Sequence, residues 1–138
     1  MNILEQYQQL AAASRWHDAL PVIREITERS PQIDTSWFNL GVCLDEIGRH
    51  SEAAAAFIKA QELNVEDWGT HYRIMRSLFL AEDFDQLHEF ADYSCGMNDR
   101  VIHLMSENEV FAPLFARPEF QQLQAKYAQG SGPAVASA

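Results

Sequence analysis

Cysteine, basic residues and long apolar runs are all scarce in this chain of 138 residues, and each shortage removes a class of protein. The two cysteines, Cys43 and Cys95, have no partner Cys or His at ligand spacing, which argues against a disulfide framework or a zinc site. They are expected to be reduced, packed thiols. Ten Lys and Arg stand against twenty Asp and Glu, and a net charge of −10 repels nucleic-acid phosphates and anionic membrane surfaces. Neither nucleic acid nor membrane is an expected partner. No apolar run approaches the roughly 18 residues of a membrane span. The opening MNILEQYQQL lacks the basic and apolar regions of a secretory signal, so a cytoplasmic, soluble protein is expected. Six Gly and five Pro are too few for a fibrous or low-complexity chain. What remains, 47% apolar and 22% charged, is the composition of one globular domain. At this length folding buries about 70% of the unfolded chain's surface, enough for a core without a staple.

The chain repeats itself at a period of 34 residues. That shift aligns Leu10, Leu44 and Leu78; Trp16, His50 and Phe84; Ala19, Ala53 and Leu87; and Ile23, Phe57 and Ala91. Within a unit the apolar residues recur at helical spacing, as in Trp37, Leu40, Leu44 and Ile47, then Ala53, Ala56, Phe57, Ala60 and Leu63. Each unit is therefore two amphipathic helices. Gly48 marks the break between them, with Ser14 and Glu82 at the same place in the flanking units, and Ser14 or Ser51 is expected to cap the following helix.

Past Asn98 the period fails. Asn98 or Asp99 is expected to cap a short helix through Met105, Pro113 and Pro118 break the helical pattern beyond it, and 119–129 forms a last helix with Phe120, Leu123 and Tyr127 on one face. GSGPAVASA, residues 130–138, has no charge or period and is expected to be a disordered tail.

The middle unit resembles the tetratricopeptide repeat: Trp37, Leu40, Gly41, Gly48, Ala53, Phe57, Ala60 and Leu63 all occupy that family's signature positions, while Leu44 stands where the family prefers Tyr and Val65 where it prefers Pro. The resemblance implies an all-α fold, a right-handed superhelical solenoid of about three helix-turn-helix repeats with C-terminal capping helices. The units are 1–33, 34–67 and 68–98, with closing helices over 99–129. The stretch from Glu109 to Leu123 resembles the closing segment of small bacterial proteins of this type.

A search for catalytic patterns finds no Gly-rich phosphate loop, no G-x-S-x-G and no H-E-x-x-H. Asp85, His88 and Asp92 share a helix face at metal-like spacing, but a solvated acidic face accounts for them; His50, in register with Trp16 and Phe84, reads as packing. No catalytic residue, metal or cofactor is assigned. In the resembled family the first helix of each pair lines a concave groove. Carried onto this sequence, that groove is Thr35, Phe38, Asn39, Val42 and Asp45, with Gly69, Tyr72, Arg73, Arg76 and Phe79, and Leu4, Glu5, Gln8 and Ala11 from the first unit. Phe38, Tyr72 and Phe79 are aromatic anchors of the kind that carry interface energy, unless the C-terminal helices fold back over them. Arg73 and Arg76 either grip an acidic element of a partner or pair internally with Asp45, Glu46 or Asp67. The carboxylate clamp by which some family members hold chaperone tails is matched by Asn39 and Arg73 but not by Leu4, Gln8 or Gly69. The resemblance thus implies a non-enzymatic protein-interaction scaffold for a peptide or helix. A small acidic chaperone for a secreted or assembling client, and a self-assembling scaffold, are the alternatives; the oligomeric state stays open.

Overall fold

The computed structural model describes residues 1–131, and among these all regular secondary structure is helical, without strands. The helices are α1 (Ile3–Ala12), α2 (Trp16–Arg29), α3 (Asp34–Glu46), α4 (His50–Leu63), α5 (Trp68–Leu80), α6 (Phe84–Met97), α7 (Arg100–Glu107) and α8 (Pro118–Ser131), with a 3₁₀ turn at Ala112–Ala116. None is long and apolar enough to cross a membrane. Two compact units emerge, Met1–Ala81 and a second beginning at Glu82, so α5 and α6, the pair of the expected third repeat, fall in different units. The tail expected over 130–138 overlaps the end of α8 at Gly130 and Ser131; 132–138 lie outside the described residues.

The repeat shows in the backbone. Ser14, Gly48 and Glu82 all take positive φ, at 56°, 85° and 58°, on the 34-residue period. At the first two, the next residue's amide reaches back five residues, Arg15 to Leu10 and Arg49 to Leu44, both at 2.8 Å. The left-handed residue's own amide reaches back three, Ser14 to Ala11 at 2.9 Å and Gly48 to Asp45 at 3.0 Å. This left-handed closure satisfies the last carbonyls of the helix and suits glycine, which has no Cβ to clash. It also corrects the expected serine caps. The left-handed residue ends one helix and the next residue already begins another, so Arg15 and Arg49 are the N-caps of α2 and α4, without side-chain capping bonds. Ser14 is that left-handed residue and Ser51 lies inside α4. A side-chain cap does open α1, where Asn2 accepts from the Glu5 amide at 2.8 Å and the Glu5 carboxylate accepts from the Asn2 amide at 3.3 Å.

In the first unit small residues bring the helices together: Ala19, Ala53, Ala54, Ala56 and Ala60 are buried beside Ile23, Leu40, Leu44, Phe57, Ile74 and Leu78. Gly41 is a true contact requirement, since a Cβ there would stand 2.7 Å from the Phe57 ring. In the second unit the core is bulky, with Leu87, Ile102, Met105, Phe111, Leu114, Phe120 and Leu123 buried. Pro113 lies in the 3₁₀ turn and Pro118 at the first position of α8, where its missing N–H removes no helical bond. Asn98 rather than Asp99 supplies the side-chain acceptor at the start of α7, taking the Arg100 amide at 3.0 Å.

A candidate partner-binding face on α1, α3 and α5

The first helices of the successive pairs are tied side by side within the first unit. The Tyr7 hydroxyl donates to the Asn39 carbonyl at 3.4 Å, joining α1 to α3, and the Ser77 hydroxyl donates to Asp45 Oδ2 at 2.7 Å, joining α3 to α5. Asp45 is the hub. Its Oδ1 lies 2.8 Å from His50 Nδ1 and its Oδ2 lies 3.8 Å from Arg76, while its side chain is only 4% exposed. A carboxylate so buried needs paired donors, and here α4 and α5 supply them. Asp45 therefore reaches little solvent; its geometry is that of a fastener between α3, α4 and α5. Of the two fates weighed for the arginines, Arg76 takes the internal one, with Asp45.

Arg73 takes another course. Its guanidinium carbon stands 5.8 Å from the centroid of the Phe38 ring, and Phe38 in turn meets Phe57 edge to face at 5.2 Å. Phe38 is thus half-buried between a core aromatic and a cation, an arrangement that holds both side chains ready on the surface. Asn39, Val42, Tyr72, Arg76 and Phe79 are also half-buried, and Thr35, Gly69, Leu4, Glu5 and Gln8 are exposed. The structure brings together Phe38 with Arg73, and Asp45 with Arg76, among the residues expected to form the groove.

His50 and Ser77 were the members that sequence reasoning missed. His50 is not simply packed between helices as expected: its ring bonds Asp45 across the α3–α4 turn, with 26% of the side chain exposed. The available signal was a serine in an otherwise apolar stripe, Ile74, Ser77 and Leu78, opposite an acid near the end of α3.

Neither thiol is placed for chemistry. Burial first, then the nearby Asp92 and Asp99, push the Cys95 thiol up to about 12, and burial likewise raises Cys43, whose Sγ contacts the Trp16 carbonyl at 3.2 Å. Burial also pushes Tyr7 up to about 12. In the second unit Asp92 is engaged by the Tyr127 hydroxyl and by Lys126 at 3.0 Å, which hold its carboxyl below the usual range. His88 packs edge to face on Phe120 at 5.4 Å. The metal-like spacing of Asp85, His88 and Asp92 is thus met by two side chains with protein partners of their own.

No protein-family model and no curated protein sequence matches this chain. Among solved structures it is similar to the Yersinia enterocolitica type III secretion chaperone SycD, solved in complex with a peptide of the translocator YopD. The TM-score is 0.61 at 11% identity, covering 90% of this chain and 91% of that one. That likeness establishes the fold class, an all-helical repeat of the tetratricopeptide-like kind.

Proposed function

We propose that this protein is a non-enzymatic, cytoplasmic interaction module of the tetratricopeptide repeat family that holds a peptide or helix of a partner protein on the face of α1, α3 and α5. The observation that carries this reading is Arg73 poised over Phe38 on a face whose frame is already braced by Asp45, Ser77 and Tyr7. A braced face loses little ordering entropy on binding, and an aromatic beside an arginine supplies apolar area together with a grip on an acidic side chain or C-terminus. Residues 1–33, 34–67 and 68–98 would be the repeats, and 99–129 the closing helices. Thr35, Val42, Tyr72, Arg76 and Phe79 would contribute the rest of the surface, with Asn39 and Asp45 setting its floor.

The similar fold of a secretion chaperone solved with a translocator peptide favours a second reading, in which the partner is a client kept soluble before secretion or assembly. One experiment addresses both. A tagged protein is used to isolate partners from the source organism's soluble lysate, beside Phe38→Ala/Tyr72→Ala and Arg73→Glu variants. Loss of the same partner in both variants supports the face; its retention in both refutes it. A partner that stays soluble when expressed alone speaks against the chaperone reading.

A further inference from the structure

A second surface, at the N-terminal ends of α3 and α5, carries chemistry of the opposite sign. Ile33, Leu63, Val65 and Trp68 are 43%, 44%, 42% and 36% exposed. They lie in the α2–α3 and α4–α5 connections or at the helix ends bordering them, and the Asn64 carboxamide joins the two by donating to Asp34 Oδ2 at 3.2 Å. Ile33 precedes Asp34, and Leu63 and Val65 flank Asn64, so that bond brings together the backbone that bears these exposed apolar residues. The edge is rigid. His71, 1% exposed, bonds the Val65 carbonyl through Nε2 at 2.7 Å, and its ring lies 4.5 Å from the Trp68 ring. Large apolar side chains exposed on a braced frame are what interface anchors look like.

The charge around them selects the occupant. Glu66 and Asp67 lie in the α4–α5 connection and Asp34 and Glu62 at the bordering helix ends, whereas residues 30–48 and 60–72 contain no Lys or Arg. The nearest cation in sequence, Lys59, already faces Glu62 at 3.9 Å. We infer that this edge docks a basic amphipathic segment of another protein, apolar side chains set on Ile33, Leu63, Val65 and Trp68 while flanking Lys or Arg face the carboxylates. A second copy of this chain is a poor occupant, because at net charge −10 it brings the wrong sign.

The test is fluorescence anisotropy with two labelled synthetic peptides, one an amphipathic helix of Lys, Leu and Phe, the other the same peptide with Glu for every Lys. The Lys peptide is expected to bind at least about tenfold tighter than the Glu peptide. It should lose about tenfold on Trp68→Ala and on Glu62→Lys/Glu66→Lys, weaken with added salt, and keep its affinity on Arg73→Glu. The double charge reversal alters only exposed positions, so the test survives if Trp68→Ala disturbs His71. Failure of the Lys peptide to bind, equal binding of the two peptides, indifference to both edge variants, or loss on Arg73→Glu alone would each overturn the proposal. So would a dimer in sedimentation that the edge variants dissolve, since the occupant would then be a second copy.

Discussion

In Met1–Ala81 the helices meet through Ala19, Ala53, Ala56, Ala60 and Gly41, with one large ring, Phe57, pressed against the glycine; from Glu82 onward the contacts are made by Leu87, Ile102, Met105, Phe111, Leu114 and Phe120. The first unit repeats one close helix pair, which leaves no room to adjust and supports a buried polar network at Asp45. The second is filled by bulky side chains around α6, the short α7, a 3₁₀ turn and α8. Its ion pair between Asp92 and Lys126 lies near the surface, where Asp92 is 40% exposed. Repetition requires uniform small contacts, whereas a unit that occurs once can be closed by whatever volumes fit.

The sharpest way to break this contrast is to compare the two acids. Asp45→Ala leaves the Ser77 hydroxyl buried without its acceptor and removes the joint between α3, α4 and α5. It is expected to cost about 3 kcal/mol in urea unfolding. Asp92→Asn should cost a small fraction of that, because solvent screens an exposed pair. Equal losses would show that the polar joint in the first unit is not structural.

Next come the glycines. Gly41→Ala drives a Cβ to 2.7 Å from the Phe57 ring and should cost about 2 kcal/mol. Gly96→Ala meets only the Tyr127 hydroxyl, at 3.5 Å, within a helix, and should gain about 0.5–1 kcal/mol from helix propensity. Thermal melting of both variants reads the difference.

Acidification separates the units differently. Burial holds the His71 pKa below its ordinary value, so the unfolded chain takes up the proton first as pH falls below about 6.5. Stability from this group is complete above that pH and declines on acidification, and His71→Gln should flatten the decline between pH 7.5 and 5.5. Asp92, whose carboxyl is held low by Tyr127 and Lys126, contributes above the unfolded carboxylate range near pH 4 and loses that contribution only as pH falls through its own lower value. Titration of the melting temperature distinguishes the two windows.

The smallest effect tests the shared turn. Ser14→Gly relieves a side chain held at φ 56° and should gain about 0.5–1 kcal/mol, while Gly48→Ala should lose about 1 kcal/mol. No gain on Ser14→Gly would mean that other contacts of the serine offset the strain.

Much of the fold was legible because a repeat states its period three times. The alignment of Ser14, Gly48 and Glu82 marked the turns even where glycine was missing, and the positive φ at all three is the conformational demand behind it. Gly41 and Phe57 announced a close approach, since only a missing side chain admits a ring face. The candidate face was less legible. Helical spacing placed Phe38, Asp45, Arg73 and Arg76 on first helices, but it could not tell which arginine is free to reach outward, because that depends on distances between α3 and α5.

The sequence by itself determined the helical period, the positions of the turns and the small residues that pair the helices, because each is a local requirement written at fixed intervals. Only the tertiary structure decided that Asp45 is nearly buried among His50, Ser77 and Arg76, that Arg73 lies over Phe38, and that Asn64 bonds Asp34 across the two connections. Those outcomes join residues from different helices, and the energy of a charge or an exposed ring depends on which partners the fold sets within a few ångströms of it.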